Sequence, residues 1–221
     1  AMRFVEALEG AALVPVLRSW RAEHPVMGVL ALVPEAEKAG VERLQAICRD
    51  EGVPLAGAIF PALVVHERFA TGGAWLLRLD EMPDVVMFPN LPGEGDLGPA
   101  AAALADRLAP GLAGSSELTL LLVFDAMFPR VGSLLDELSL RLADRVHYMG
   151  TNAGSETFQP MPCLFDGERT LGGGVLALLV KGNHGAVLDH GYKVPSRMIT
   201  ATSTEGNRII QFREALREAM S

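Results

Sequence analysis

Residues 148–180 read YMGTNAGSETFQPMPCLFDGERTLGGGVLALLV, and this stretch decides the fold of the chain. Its pattern predicts a strand that ends at Gly150, a polar loop of small residues, a hairpin turning near Asp166 and Gly167, and an apolar strand that ends at Val180. Small residues at a strand end permit close backbone approach, either to a ligand or to another chain segment. We therefore place the candidate site directly after Gly150.

The composition indicates one large globular domain or two intimate halves. Of 221 residues, 49% are hydrophobic and 21% are charged, as expected for a chain that buries a sizeable core. No apolar run reaches the roughly 18 residues of a membrane helix, so the apolar residues must enter a core or an interface. The formation of a homo-oligomer is left open as one use of such an interface. The net charge of −8 argues against nucleic-acid binding, which needs clustered Lys and Arg. With two cysteines and no signal-peptide pattern, we expect a cytoplasmic protein.

The same order of predicted elements occurs twice. Residues 12–90 and residues 98–192 each read as a helix, a strand, a second helix, a second strand and a hairpin. Each copy needs a cover for the open face of its sheet, and two similar copies can cover each other. We predict a mixed α/β fold, internally duplicated with pseudo-twofold symmetry, in two sheets or one continuous sheet. Residues 196–221 add a terminal hairpin and, from residue 213, a short helix, and the whole chain, 1–221, forms one domain.

The alignment of the two copies locates an insertion. Gly57 aligns with Gly150 at an offset of 93 residues, and Leu77 aligns with Leu178 at an offset of 101. The second copy thus has eight extra residues after Gly150, where repeats often diverge because function is specialised in loops. Chance resemblance between two α/β stretches is the alternative to duplication.

The hairpins of the two copies are read from short apolar runs between turn signals. In the first copy, Leu63–Phe69 is predicted to pair with Gly73–Leu79. In the second copy, Leu171–Val180 is predicted to form the second arm of the hairpin that turns at Asp166 and Gly167.

The polar residues after the strand form a candidate ligand site. Thr151, Asn152 and Ser155, with Gly150 and Gly154 beside them, offer hydroxyl, amide and backbone N–H groups that can hold a carboxylate or another small polar ligand. The alternative is that these side chains satisfy the backbone of their own loop.

Asp125 is added to the candidate site because it ends the strand predicted over Leu118–Phe124. Ligands gather at strand carboxyl ends in α/β folds. Two alternatives stay open: Asp125 caps the helix that begins soon after Pro129, or it is the catalytic residue of a hydrolase or transferase that uses the Gly150–Ser155 loop. No Gly-x-Ser-x-Gly elbow occurs, so we predict no catalytic residue.

Several segments resemble a known family. Gly150–Ser155 looks like the Gly-Gly-x-Ala-Gly-Asp segment of FIST sensory domains, and Phe165–Gly167 looks like that family's hairpin turn. His190–Pro195 is similar to its Gly-Trp-x-Pro segment, and Ile199–Ala201 with Gly206–Arg208 resembles a pair near the end of the FIST N-terminal region. The resemblance covers most of the chain.

The resemblance implies an intracellular, non-catalytic sensory domain that binds a small ligand and signals to a histidine kinase or a cyclic-di-nucleotide enzyme. Some members are haem proteins, which leaves haem open as a cofactor, with His190 or His147 as axial ligand; no zinc-like histidine spacing occurs. Where the family carries a polar Cys-Ser-Thr-x-Gly-Glu run, this chain has the apolar Gly57–Ala62, and Ser155 stands in place of an aspartate. We expect a divergent member or a fragment, with a one-sided site centred on Thr151–Ser155.

Overall fold

Two main sheets, each flanked by helices, build the first of two compact units of the chain, which are residues 1–185 and residues 186–221. The computed structural model describes residues 1–112, 117–182, 198–205 and 208–215. The mixed α/β fold class is confirmed, and the arrangement is two sheets rather than one continuous sheet.

The helices are α1 (Gly10–Glu23), α2 (Val41–Asp50), α3 (Gly98–Leu108) and α4 (Val131–Leu142), with 3-10 segments at Glu35–Gly40, Ala109–Leu112 and Ala143–Arg145. The strands of the first unit are β1 (Met2–Val5), β2 (Gly28–Pro34), β3 (Leu55–Phe60), β4 (Leu63–Val65), β5 (Arg68–Ala70), β6 (Ala74–Leu79), β7 (Asp84–Phe88), β8 (Leu118–Asp125), β9 (His147–Ala153), β10 (Leu164–Asp166), β11 (Thr170–Leu171) and β12 (Val175–Lys181). The second unit has β13 (Met198–Glu205) and β14 (Arg208–Ala215). No helix of the described ranges is long and apolar enough to cross a membrane.

Each main sheet contains one parallel strand pair with a helical crossover. The first sheet has the order β1-β6-β2-β3-β10-β11, and the second has the order β7-β12-β8-β9. Strand β2 runs parallel to β3 across α2, and β8 runs parallel to β9 across α4. Helix α1 packs on α2, and α3 packs on α4. Because a crossover helix covers one face of its sheet, each sheet keeps its other face for the opposing sheet.

Strand β12 shows that the layers are helix, sheet, sheet and helix. Leu176 and Leu178 are buried in the core shared with the first sheet, whereas Val175, Ala177 and Leu179 are buried in a second core beneath α3 and α4. Successive residues of a strand point to opposite faces. An uninterrupted apolar run is therefore what a strand covered on both faces needs.

The predicted pairing of Leu63–Phe69 with Gly73–Leu79 is wrong. Strand β6 lies between β1 and β2 instead, and Leu63–Phe69 folds back on itself as the β4–β5 hairpin. Its two turn residues, His66 and Glu67, both have positive φ, as a tight hairpin turn requires. Neither is Gly or Asn, so the turn left no signal in the sequence.

The hairpin at Asp166 is confirmed, but Leu171–Val180 is not its second arm. Strands β10 and β11 pair with each other, and β10 also pairs with β3, so this hairpin belongs to the first sheet. The chain then turns at residues 172–174, where Gly173 has a φ of 65°, and enters the second sheet as β12. Residues 172–174 are thus the crossing point between the sheets.

The two sheets share a topology. Within β1-β6-β2-β3 and within β7-β12-β8-β9, the pairings are antiparallel, antiparallel and parallel in turn. Gly57 partners Ala31, 26 residues earlier, and Gly150 partners Leu122, 28 residues earlier. The two parallel pairs therefore differ in register by two residues. In addition, β7 lies within residues 12–90, the first predicted copy, but forms an edge of the second sheet. The duplication with its pseudo-twofold symmetry stays a prediction.

The second unit contains the predicted terminal hairpin. Strands β13 and β14 pair antiparallel from Glu205 and Arg208 outward. The helix predicted from residue 213 is wrong in its first residues, because β14 continues to Ala215 in register with β13. Residues 216–221, for which the rest of that helix was predicted, lie outside the described residues.

Gly57 supplies a test of how β10 packs beside β3 in the first sheet. A Cβ at this position would overlap the ring of Phe165, which is fully buried, and the carbonyl oxygen of Ala31. We expect Gly57→Ala to lower the free energy of unfolding by about 1–3 kcal/mol in urea denaturation. The control is Gly132→Ala in α4, where a Cβ meets open space and where alanine is neutral or stabilises by up to about 1 kcal/mol. Equal stabilities for Gly57→Ala and wild type would contradict this packing.

Candidate functional site

The carboxyl ends of three strands meet where the two sheets join. The N–H of Gly154, directly after β9, donates to the carbonyl oxygen of Ile59 in β3 at 2.8 Å. The N–H of Ala126, directly after β8, donates to the carbonyl oxygen of Ala153 at 2.7 Å. Gly154 has a φ of 142°, a conformation that side chains with a Cβ rarely adopt. The loop of residues 154–157 therefore starts from a fixed point.

The predicted strand end at Gly150 is wrong, because β9 continues to Ala153. Gly150, Thr151 and Asn152 lie in this strand, and all three are exposed. Strand β8 is long enough to pair with every residue of β9, up to Asp125 opposite Ala153. The ladder therefore extends through glycine and asparagine despite their low strand propensity. Among the described strands, β8 is the only partner of β9, which makes β9 an edge strand.

Ser155 holds a carboxylate of the protein itself. Ser155 is a buried residue, 7% exposed, and its Oγ donates to Oε1 of Glu35 at 3.0 Å. The N–H of Glu156 donates to the other oxygen, Oε2, of Glu35 at 3.0 Å. The Ser155 Oγ accepts a hydrogen bond from the N–H of Thr157 at 3.2 Å and lies 2.9 Å from the Thr157 hydroxyl. A hydroxyl and a backbone amide of loop 154–157 thus bind both oxygens of one carboxylate.

The loop favours the charged form of that carboxylate. The N–H of Glu156 is the main cause that holds the pKa of Glu35 below its ordinary value; burial acts in the opposite direction, and the Ser155 hydroxyl and Lys38 lower the pKa further. A lowered folded-state pKa means that the contact stabilises the protein above the pKa of the unfolded state and that this contribution is lost as the pH falls through the folded-state pKa. At neutral pH the loop therefore holds a carboxylate anion.

Sequence reasoning missed Glu35. No motif marks it, but it is the first residue after β2, whose parallel partner β3 ends beside Gly154. Residues that follow strand carboxyl ends are the usual source of site residues in α/β folds. That rule, applied to β2 as it was to β8, would have selected Glu35.

Asp125 is turned toward the crossing point between the sheets. Its side chain is buried, with the residue 3% exposed. Its Oδ1 accepts the N–H of Met127 at 2.8 Å, and its Oδ2 accepts the N–H of Gly173 at 2.6 Å. The carboxylate therefore ties the end of β8 to the turn that leads into β12. Helix α4 begins with Arg130 as its N-cap residue, so Asp125 caps the preceding turn and not this helix.

Cys163 lies beside Asp125 without forming an activated nucleophile. The thiol is fully buried, and burial, with the carboxylate of Asp125 beside it and accepting its hydrogen bond, raises the pKa of Cys163 to about 12. Burial likewise raises the pKa of the Cys48 thiol to about 12. Because the thiolate is the reactive form of cysteine, this geometry gives no support to nucleophilic chemistry at Asp125 and Cys163.

His147 does not fit a haem ligand. It is the first residue of β9 and is exposed, about 20 Å of strand away from Ala153 at the usual rise per residue. An axial histidine needs a pocket that encloses the macrocycle, which an exposed position on an edge strand does not provide. His190 lies outside the described residues. Within the described ranges, no group of three or more His, Cys, Asp or Glu side chains could hold a metal ion.

Four surface cavities lie away from the candidate loop. Their volumes are about 370, 700, 510 and 460 Å³, and none of these four is lined by residues 150–157. The space beside Ser155 and Glu156 is taken by the side chain of Glu35.

A family model describes most of this chain. The FIST N domain model matches residues 29–214, a range that includes both parallel strand pairs and loop 154–157. No curated protein matches the chain at a significant level.

Asp125 supplies a test of the site's framework. Removing its carboxylate leaves the N–H groups of Met127 and Gly173 without their acceptor. We expect Asp125→Ala to lower the free energy of unfolding by about 2–4 kcal/mol in urea denaturation. Asp136→Ala, at an exposed position of α4, is the control and should change stability by no more than about 0.5 kcal/mol. An Asp125→Ala protein as stable as this control would show that the carboxylate does not hold the crossing point.

Proposed function

The chain belongs to the FIST N domain family, a family of sensory domains implicated in signal transduction, and we propose that it is an intracellular, non-catalytic domain that binds a small polar ligand at loop 154–157. The ligand site comprises this loop together with Gly150, Thr151 and Asn152 of the adjoining edge strand. Asp125 belongs to its framework and makes no direct contact with the ligand.

One observation carries the proposal: loop 154–157 already binds a carboxylate. The Ser155 hydroxyl and the Glu156 N–H each lie 3.0 Å from one oxygen of Glu35. Paired donors of this kind are what a carboxylate or another small oxyanion needs, and hydrogen bonds to charged acceptors are the stronger class. Thr151 and Asn152 expose a hydroxyl and an amide on the two faces of the strand that precedes the loop, and the Asn152 amide is the group proposed to contact a further polar group of the ligand.

The position of the loop suggests how binding would be passed on. Glu35 begins the 3-10 segment that leads directly into α2, so a change at the loop reaches the helical layer of the first sheet. From α2, the amide of Gln45 donates to the carbonyl oxygens of Asp166 and Arg169 at 2.8 and 3.2 Å.

We place the domain in the cytoplasm, with a histidine kinase or a cyclic-di-nucleotide enzyme as the recipient of the signal.

A ligand screen with Asn152→Ala tests the proposal. We expect at least one compound from a set of amino acids and small carboxylic acids to raise the melting temperature. At 100 times its Kd, such a compound adds about 2.7 kcal/mol to the free energy of unfolding. Loss of one amide contact in Asn152→Ala should weaken that binding about 3- to 10-fold, measured by calorimetric titration. Thr71→Ala, at an exposed position that follows β5, is the control and should bind as wild type does. If no compound stabilises the protein, or if Asn152→Ala binds unchanged, the proposed site is wrong.

A further inference from the structure

We propose that Glu35 is an internal ligand: its carboxylate occupies the anion-binding position of loop 154–157, and a carboxylate ligand enters this position by displacing it. The inference rests on the proposed function for the place of the ligand. It adds the chemical class of the group that is bound and the side chain with which that group competes.

The contacts of Glu35 are those of a bound ligand. Oε1 lies 3.0 Å from the Ser155 hydroxyl, and Oε2 lies 3.0 Å from the Glu156 nitrogen, so each oxygen has its own donor. The Ser155 hydroxyl donates to Glu35, while its oxygen accepts the N–H of Thr157 at 3.2 Å and lies 2.9 Å from the Thr157 hydroxyl. The loop thus presents two aligned donors, arranged by its own hydrogen bonds, to a planar two-oxygen group.

Glu35 can leave this position, whereas the other carboxylate at the strand ends cannot. The Glu35 side chain is 24% exposed, and its nearest cation, Lys38 Nζ, lies 3.7 Å away with 57% of its own side chain exposed. Asp125 is almost completely buried and accepts two backbone N–H groups. Because a glutamate side chain can move between rotamers with its backbone in place, only Glu35 can exchange with a solute.

The exchange also sets the class of the ligand. A carboxylate that replaces the Glu35 carboxylate restores the same two hydrogen bonds and the same charge at the loop, so neither Ser155 nor the Glu156 N–H is left without an acceptor. A cation or a neutral apolar group would leave both donors without an acceptor. Amino acids and short carboxylic acids meet this requirement, and Asn152 lies within the adjoining strand to contact their second polar group.

Chemical rescue tests the inference. Glu35→Ala empties the anion position, and sodium acetate is the probe. We expect the Glu156 amide resonance to shift on acetate titration of Glu35→Ala, with an apparent Kd at least 10-fold lower than in wild type. We also expect 100 mM acetate to raise the melting temperature of Glu35→Ala above its value in 100 mM sodium chloride, with no such difference in wild type.

Glu37→Ala is the matched control, because this neighbouring carboxylate accepts the N–H of Gly73 at 3.4 Å, away from the loop. Acetate should act on Glu37→Ala as it acts on wild type. An equal response of all three proteins, or no shift of the Glu156 resonance in Glu35→Ala, would overturn the inference. Should Glu35→Ala not fold, Glu35→Gln provides the same readouts, with a neutral amide that competes less well than the carboxylate.

The outcomes also separate the inference from the proposed function. If acetate binds Glu35→Ala at Glu156 while no compound of the screen stabilises wild type, the internal ligand stands and the sensory site is wrong. If a compound of the screen binds wild type and Glu35→Ala with equal affinity, the sensory function stands and Glu35 is not its competitor.

Discussion

A buried carboxylate, that of Asp125, fixes the point at which the chain leaves one sheet for the other. A polar group inside a protein is costly to bury unless hydrogen bonds compensate for its lost hydration. Here the backbone N–H groups of Met127 and Gly173 provide them. The turn at residues 172–174 is thereby held against the end of β8. Strand β12 then starts in register with β7 and β8, between which it lies.

The same crossing interlocks the two sheets. Strand β10, from the second half of the sequence, completes the first sheet by pairing with β3, and Phe165 fills the space that Gly57 leaves open. The side-chain amide of Gln45 in α2 donates hydrogen bonds to two carbonyl oxygens of the β10–β11 turn. The first sheet therefore needs residues from both halves of the sequence. The candidate loop follows β9 and precedes β10. Because both strands are paired within their sheets, they fix the position of the loop.

The sequence predicted the parts of this fold that local patterns encode. Strand β8 was predicted to within one residue, because apolar runs bounded by turn signals mark buried strands. The partners of β6 and β10 were not predictable, because pairing depends on segments that are distant in the chain. The end of β9 was misplaced for a related reason: the length of its partner β8 decides where its ladder stops.

The candidate site shows the same limit. Ser155 was selected from the sequence, and the loop does lie at a strand end, but the group that it contacts lies 120 residues away. No local pattern links Ser155 to Glu35, and only the meeting of the β3 and β9 ends brings them together. Thr151 and Asn152, expected in the loop, lie on the strand beside it.

An NMR pH titration of the Glu35 carboxyl carbon is the most direct test of whether loop 154–157 binds a carboxylate. We predict a midpoint below the ordinary glutamate value of about 4.3, and we expect the amide resonance of Glu156 to shift with the same midpoint. We also predict that the midpoint rises toward the ordinary value in Ser155→Ala. A Glu35 carboxyl that titrates at its ordinary value in wild type, with no response at Glu156, would contradict the account.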